Sequence, residues 1–397
     1  MIVLLIGTLV TSFLLTWISI PSVVTISKEK KLFDVPDDRK LNKTVVPTMG
    51  GIGIFIGLSI TPILFMQTGA NPELRYLMAA LILMFFTGIK DDIMIMPARR
   101  KLVIQFLAAL ILVVLGNFRI THVYGMFSAT VFNDWLSVPL SVLLILFLIN
   151  AINLIDGIDG LAAGLALLVA TFLGVWFYLA GHLNYAVVCL ALSGSLVAYL
   201  RYNLFGGKNK IFMGDTGSLV LGVFLAAMVI AFNELNATAP DSLRFSKAPL
   251  IALALLIVPV TDTLRVFAIR IKNKRSPFSP DMNHLHHLLL KLRMSHMQAS
   301  AFLLLYTATF VALAISLSQT GINLTAAFFI LLALSFTGAG VIFARVRLLE
   351  TAAKQKKYDL KVIRNNQPAA NRASIRISIH ATTMPVRDEQ LIQGTGK

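Results

Sequence analysis

Long apolar blocks, each close to twenty residues and nearly free of charge, constrain this chain more than any other feature of its sequence. An α-helix needs about 20 residues to cross the hydrocarbon core of a bilayer, and every backbone group inside that core must be paired. Only 14% of the 397 residues are charged, whereas a soluble domain has about 25%. The sequence therefore predicts an all-α polytopic membrane protein.

Hydropathy delimits eleven expected transmembrane helices. They lie near residues 2–21, 49–67, 74–89, 102–118, 135–150, 160–180, 183–200, 217–233, 248–269, 299–318 and 323–346. The less apolar segment 119–134 is expected at the outer surface. The first block lacks a charged leading region and a small-residue cleavage site, so we interpret it as a retained span rather than a signal peptide. The single cysteine, Cys189, cannot form an internal disulfide.

The location of the positive charge explains the net charge of +16. A basic protein can be a nucleic-acid binder or a membrane protein with the usual excess of Lys and Arg in its cytoplasmic loops. With the N-terminus outside, the inner loops and the C-terminal tail hold 30 of the 35 Lys and Arg residues. We therefore expect the N-terminus outside, the C-terminus in the cytoplasm and no nucleic-acid partner. Residues 1–347 are expected to form one transmembrane domain, and the basic tail 348–397 is expected to be largely disordered.

The carboxylates carry the functional signal, because a charged group beside hydrocarbon is costly and usually marks function. Six of the 19 acidic residues are predicted at the inner ends of spans, together with Lys and Arg. A single Asp at such a place could be a helix cap. Several on one face favour a common site for a divalent metal and phosphates, since Mg²⁺ binds few carboxylates plus phosphate oxygens. The six are Asp91, Asp92, Asp156, Asp159, Asp215 and Asp262.

Two of four polar clusters lie in the first half of the chain. Asp91 and Asp92 end one span and are followed by the basic run Arg99-Arg100-Lys101, which offers phosphate partners. The segment Asn150–Ala162 places Asn150, Asn153, Asp156 and Asp159 with two glycines in a strongly apolar stretch. A plain connection between helices needs fewer hydrogen-bonding groups, so this second cluster favours a binding loop.

The other two clusters follow later in the chain. Ile211–Ser218 places Gly214, Asp215 and Gly217 at the start of a span, where free N–H groups can bind an anion or where Asp215 or Ser218 can simply cap the helix. The segment Asp281–His287 holds His284, His286 and His287 downstream of Arg265 and other basic residues. Zinc would need further ligands at recognisable spacing, so the histidines are better suited to hydrogen-bonding a diphosphate.

In this order, and at the expected inner face of the membrane, the four clusters resemble those of the polyprenyl-phosphate N-acetylhexosamine-1-phosphate transferase superfamily. The resemblance covers residues 1–346 and implies a Mg²⁺-dependent enzyme (Mn²⁺ is an alternative) of the bacterial inner membrane, with its active site facing the cytoplasm. Its partners would be a UDP-N-acetylhexosamine and a polyprenyl phosphate. A homodimer is also expected.

The resemblance also implies roles for individual positions. Asp91 and Asp92 match the catalytic pair, and Lys101 matches the ligand of the acceptor phosphate. Asp215 and Asn153 match the metal site. Pro47–Gly51 matches a Pro-x-x-Gly-Gly motif, and Asn42 stands where many relatives carry His. The remaining implied site residues are Lys43, Asp156, Gly157, Asp159, Phe212 and Arg265 for substrate binding, with His284, His286 and His287 around the diphosphate and sugar.

Three functional alternatives follow. The His-Leu-His-His form resembles the branch that transfers GlcNAc-phosphate, so UDP-GlcNAc is the expected donor. The peptidoglycan phospho-MurNAc-pentapeptide translocase is the alternative enzyme. A multispan transporter is the alternative outside enzymes, although transporter sites lie near the membrane midplane and often between repeated halves.

Overall fold

The computed structural model describes residues 1–34, 46–276 and 281–365. Its regular structure is almost entirely helical, which confirms the predicted all-α class. The helices are α1 (Ile2–Glu29), α2 (Gly50–Phe65), α3 (Leu74–Ile93), α4 (Ala98–Leu110), α5 (Asp134–Ile155), α6 (Leu161–Leu179), α7 (Leu183–Phe205), α8 (Gly214–Asn236), α9 (Ala248–Leu255), α10 (Ile257–Lys272), α11 (Leu285–Lys291), α12 (His296–Ser318) and α13 (Leu324–Asn365).

Short elements complete the description. A π-helical turn (Ile111–Leu115) continues α4, and 3₁₀ turns occupy Met126–Ser128 and Gly207–Asn209. Strands β1 (Phe33–Asp34) and β2 (Val46–Pro47) pair antiparallel, with Phe33 opposite Pro47 and Asp34 opposite Val46. The segment 119–134, expected not to span the membrane, holds a β-bridge between His122 and Val131 and one 3₁₀ turn.

Seven helices of the described residues are long and apolar enough to cross a membrane, and the bent pair α9 and α10 would make an eighth. The protein is therefore a multi-pass membrane protein. Helix α2 has only 16 residues, α4 has 13, and α3 carries four charged residues. The expected count of eleven spans and the orientation of the termini stay predictions.

The span expected near 248–269 is broken into two helices. Helices α9 and α10 meet at Leu256 with a bend of 73°. Pro259 lies in the first turn of α10, where a backbone N–H would have no acceptor within the helix, so the missing N–H breaks no hydrogen bond there. The proline ring would, however, clash with a helical turn directly before it. Hydropathy alone cannot register this break.

The chain divides into two compact units, Met1–Thr337 and Gly338–Lys397. Helix α13 runs past the predicted domain boundary at 347/348 as far as Asn365, through a sequence rich in Lys, Leu and Ala, which favour helix. Residues 366–397 lie outside the described part of the chain. The assignment of a separate tail from 348 onward stays a prediction.

Helix α8 is the central element of the first unit. It is apolar around its whole circumference, with Leu219–Ala231 buried throughout, and it packs against α2, α3, α5, α6 and α9. A helix with no polar face is stable only when it is surrounded by other elements. Because the predicted third cluster opens α8, its residues are held at the end of the most enclosed helix.

Small residues bring α3 and α8 into backbone contact at that end. A Cβ atom added at Gly88 would collide with the backbone of Thr216. Helices in membranes associate mainly by such close packing, because lipid supplies no hydrophobic drive for association between them. The position of Gly88 therefore sets the spacing between Asp92, one turn further along α3, and the first turn of α8.

Replacing Gly88 by Ala is expected to push α3 away from α8. Overpacking of this kind costs about 1–3 kcal/mol, so the thermal unfolding temperature in detergent should fall clearly. Gly321→Ala is the matched control, because a Cβ there would meet no atom within 4 Å. Equal unfolding temperatures for both variants and the wild type would contradict this close packing.

Candidate active site

Asp92 joins the C-terminal end of α3 to the first turn of α8. Its Oδ1 accepts the backbone N–H of Asp215 at 2.8 Å, and its Oδ2 accepts the N–H of Thr216 at 2.9 Å and the Thr216 hydroxyl at 2.5 Å. The first N–H groups of a helix have no intrahelical partner, and a carboxylate there also faces the positive end of the helix dipole. Asp92 is thus a helix cap supplied by a neighbouring helix.

Gly214 makes this approach possible. Its φ of +71° lies in the left-handed region, where a side chain would be strained. A Cβ at Gly214 would also collide with the carbonyl oxygen of Thr48 and with the Asp92 carboxylate. The backbone of the Pro47–Gly51 motif continues this contact, since Gly50 and Gly51 donate hydrogen bonds to the carbonyls of Phe212 and Met213 at 2.8 and 2.9 Å.

Lys101 lies between two carboxylates. Its Nζ is 2.9 Å from Asp91 Oδ2 and 2.8 Å from Asp215 Oδ1. The second oxygen of Asp91 accepts the backbone N–H of Met96 at 2.7 Å. One ammonium between two carboxylates leaves a net negative charge, which suits the binding of a cation.

Asn153 completes this group from the end of α5. Its side-chain Nδ2 donates to Asp215 Oδ1 and, at 2.8 Å, to the hydroxyl of Ser218. The two predicted metal ligands are therefore in direct contact. Within the described ranges, no three His, Cys, Asp or Glu residues are grouped as a ready metal cage. The oxygen-rich set fits Mg²⁺, which needs only one or two protein carboxylates when substrate phosphates supply the rest.

The loop after α5 places Asp156 and Asp159 near the same group. Burial, and then the negative charges of Asp215, Asp92 and Asp159, raise the pKa of the Asp156 carboxyl from 3.8 to about 7. Asp159 is different: although burial alone would raise its pKa, hydrogen bonds from His296 and Lys210 hold it below the usual value. Lys210 Nζ is 2.7 Å from Asp159 Oδ2, and His296 Nδ1 is 3.5 Å from the same oxygen.

Phe212 lies beside this ion pair. The Nζ of Lys210 is 5.6 Å from the centre of the Phe212 ring, within the range of a cation–π contact. Phe212 and Asp159, both implied to bind substrate, are therefore linked through Lys210.

Asp262, on α10, holds the histidine segment in place. It accepts the N–H of Leu285 at 2.8 Å and lies 2.8 Å from His284 Nδ1. Arg265 Nη2 donates to Asp262 Oδ1 at 3.0 Å and also to the carbonyl of Asn283. A second ion pair, between Arg270 and Asp281 at 3.0 Å, secures the preceding residues.

The histidine segment packs against the loop after α5. The ring of His286 covers Gly157, where an added Cβ would collide with the imidazole. Burial, followed by the charge of neighbouring histidines, lowers the pKa of His286 to about 3 and that of His287 to about 4, so both rings are neutral at pH 7. Within the part of the chain that the structure describes, both nitrogens of His286, Nδ1 of His287, and Nε and Nη1 of Arg265 have no hydrogen-bond partner. Buried polar atoms of this kind normally find partners, so the group is suited to a polar ligand.

Comparisons with known proteins identify relatives of this chain. A sequence profile described as "Glycosyl transferase family 4" matches residues 74–233. A "probable undecaprenyl-phosphate N-acetylglucosaminyl 1-phosphate transferase" of Bacillus subtilis (strain 168) is 30% identical over 291 residues, which cover 72% of this chain and 77% of that protein.

The chain belongs to glycosyl transferase family 4.

Two further relatives are named undecaprenyl-phosphate alpha-N-acetylglucosaminyl 1-phosphate transferase. Those of Salmonella typhi and Escherichia coli (strain K12) are each 27% identical to this family 4 chain. The alignments cover 91% and 77% of the chain, and 96% and 82% of the respective relatives. The resemblance inferred from the four motifs is thereby confirmed.

The family 4 chain brings most predicted site residues into contact with one another. Direct contacts join Asp91, Asp92, Lys101, Asn153 and Asp215. Further contacts link Gly157 to His286, and Arg265 through Asp262 to His284. His287 lies beside His286. Lys43 lies outside the described residues, so its role stays a prediction, as do the individual catalytic and binding roles of the others.

Sequence reasoning missed two residues that organise the site and gave a third, Asp262, no specific role. Lys210 and His296 both lie near Asp159, yet neither stands inside one of the four clusters. Asp262 was noted only as a carboxylate near a span end, and its hold on the histidine segment depends on the bend between α9 and α10. Lys210 directly precedes the third cluster, which was the only available signal for it.

The raised pKa of Asp156 predicts a measurable pH dependence of stability. The folded protein keeps a proton on Asp156 that the unfolded chain releases near pH 4, so stability falls as the pH rises from about 4 to about 7. Asp156→Asn removes this effect. Its unfolding temperature in chelator-containing detergent should exceed that of the wild type increasingly between pH 4 and pH 7, with a constant difference above. Asp241→Asn, which changes an exposed carboxylate, should show no such trend, and a trend shared by both variants would refute this assignment.

Proposed function

We propose that this protein transfers GlcNAc-1-phosphate from UDP-GlcNAc to undecaprenyl phosphate and releases UMP. The names of its relatives support the substrates and the reaction. The observation that carries the proposal is the position of Lys101, held between Asp91 and Asp215 at the N-terminus of α8. A fixed cation at the positive end of a helix dipole is suited to phosphate chemistry.

The reaction needs positioning and charge neutralisation more than acid–base chemistry. A phosphate oxygen of the acceptor attacks the β-phosphorus of UDP-GlcNAc, the bond from that phosphorus to the bridging oxygen breaks, and UMP leaves with the electron pair. A phosphate monoester has a second pKa of about 6, so the acceptor is already mostly dianionic at pH 7. The protein must therefore hold two anions together and offset their charge.

Each part of the site has a place in this scheme. Lys101 binds the acceptor phosphate, and the neutral imidazoles of His286 and His287, with Arg265, hydrogen-bond the donor diphosphate. Asp215 and Asn153 would hold Mg²⁺ (or Mn²⁺), which neutralises diphosphate charge when bound. Phe212, Asp156, Gly157 and Asp159 form the nucleoside side of the donor site.

Asp91 is assigned an organising role. One of its oxygens is engaged by Lys101 and the other by the Met96 N–H. A general base or a nucleophile needs a free oxygen facing the substrate. This geometry therefore favours a role for Asp91 in orienting Lys101 over a role as base or nucleophile. Asp92, with both oxygens bound to the start of α8, is assigned a positioning role.

The placement of positive charge supports an orientation. We propose that the N-terminus lies outside, the C-terminus lies in the cytoplasm, and the active site faces the cytoplasm of a bacterial inner membrane. In this arrangement eleven spans cross the bilayer, with α2, α3 and α4 among them. Homodimer formation is part of the same proposal.

Release of UMP tests this function. The purified protein in detergent, given undecaprenyl phosphate, Mg²⁺ and UDP-GlcNAc, should release UMP only when lipid and metal are both present. Asp215→Ala should reduce the rate about 100-fold or more, since removing one group that stabilises developing charge has an effect of this size. Asp241→Ala, at an exposed position, should leave the rate unchanged.

Three outcomes would change the proposal. Turnover with UDP-MurNAc-pentapeptide but not with UDP-GlcNAc would favour the peptidoglycan-type enzyme. Turnover by Asp215→Ala at the wild-type rate would remove the proposed metal site. Absence of UMP with every donor, from protein that unfolds cooperatively, would favour the transporter.

A further inference from the structure

An apolar tip projects beside the candidate site where α3 ends and α4 begins. Its residues are Ile93, Met94 and Ile95, with exposed fractions of 51%, 66% and 97%. Charged residues flank the tip on both sides, namely Asp91 and Asp92 before it and Arg99 and Arg100 after it. These charges belong at a membrane surface, so the tip lies at the level of lipid headgroups rather than in the hydrocarbon core.

Consecutive exposed apolar side chains at a polar surface usually mark a binding site. The apolar side chains on the outer faces of membrane helices are exposed because lipid covers them. The tip is different, because it is a connection between two helices and carries charges on both sides. Its three apolar side chains therefore call for a specific apolar partner.

The tip is connected directly to the candidate site. The residue that follows it, Met96, donates its backbone N–H to Asp91 Oδ1 at 2.7 Å. The other oxygen of Asp91 binds Lys101 at 2.9 Å. Asp91 therefore connects Lys101 to the residue that directly follows the tip.

Helix α4 continues the apolar surface away from the site. Leu102, Val103, Phe106 and Leu107 are all exposed and follow helical spacing, so they form one face of α4. Lys101 belongs to another face, the one on which Gln105 and Ala108 are buried. Apolar surface thus runs along α4 from the level of Lys101, while the cationic group itself points to the carboxylates.

We propose that Ile93, Met94 and Ile95 bind the first isoprene units of the polyprenyl phosphate acceptor. This inference rests on the function proposed above. The acceptor joins an anionic head to an apolar chain, and the protein offers Lys101 next to an apolar tip. The exposed Arg99 and Arg100 add the charge complementarity that a phosphate monoester requires. The tip contributes to selection of the acceptor and leaves the donor site unaffected.

Steady-state kinetics in a fixed detergent test the tip. Ile95→Ser and the double variant Met94→Ser/Ile95→Ser should raise the KM for undecaprenyl phosphate about tenfold, as expected from losing one to two buried apolar side chains. The KM for UDP-GlcNAc and kcat should stay unchanged. Farnesyl phosphate, which contains the first isoprene units but no distal chain, should show the same rise. Ile63→Ser, at an isoleucine of α2 with 76% exposure, is the matched control and should have no effect.

The opposing outcomes are distinct. A fall in kcat at constant KM would mean that the tip acts only by positioning Asp91. A rise in KM for undecaprenyl phosphate alone would move the contact to the distal chain or to bulk lipid. An unchanged KM for both acceptors would overturn the proposal outright. Lack of UMP release by the wild type would instead be a failure of the proposed function.

Thiol labelling provides a readout that does not depend on turnover. Because Cys189 is buried, a maleimide should react selectively with the introduced thiol of Ile95→Cys. Farnesyl phosphate should slow that labelling, whereas UDP-GlcNAc should not. Neither compound should slow the labelling of Ile63→Cys. Equal labelling of Ile95→Cys with and without farnesyl phosphate would contradict the proposal.

Discussion

The contact between Asp92 and the first turn of α8 is the interaction on which the rest of the site depends. A helix that begins deep in a protein leaves N–H groups that must find acceptors, and here a carboxylate from α3 accepts three hydrogen bonds. This capping fixes Asp215 relative to Asp91, the neighbour of Asp92 in the chain. Lys101 can then bridge Asp91 and Asp215. The absence of a side chain at Gly88 and the positive φ of Gly214 are what allow the two helices to approach so closely.

The carboxylates of the site have separate tasks because their surroundings differ. Asp92 and Asp262 have both oxygens engaged by groups of the protein, and each holds a neighbouring segment in place. Asp159 is paired with Lys210, whereas Asp156 has its pKa raised by burial and by neighbouring negative charge. Asp215 contacts both Lys101 and Asn153, so it connects the residue assigned to the acceptor phosphate with the other residue assigned to the metal. Adjacent acidic residues such as Asp91 and Asp92 can therefore serve different purposes.

The sequence predicted most of the residues that the structure brings into contact, but few of the contacts that join them. Apolar blocks predicted a helical membrane protein, and four polar clusters predicted the family. The pairing of Asn153 with Asp215 followed from the resemblance and is found as a hydrogen bond. Asp262 with His284, Lys210 with Asp159, and His286 on Gly157 join residues far apart in the chain, so spacing gave no signal for them. The break at Leu256 depends on local backbone geometry around Pro259, and hydropathy averages over that geometry.

The proposed reaction moves a sugar phosphate, and not the sugar alone, to the lipid. UDP-GlcNAc labelled with ³²P in its β-phosphate distinguishes the two reactions when it is incubated with the protein, Mg²⁺ and undecaprenyl phosphate. We expect the label to enter the organic phase with the lipid and unlabelled UMP to remain in water. Label retained in water as UDP, with GlcNAc found on the lipid, would refute transfer of the sugar phosphate, because the bond broken would then be the one between sugar and phosphate.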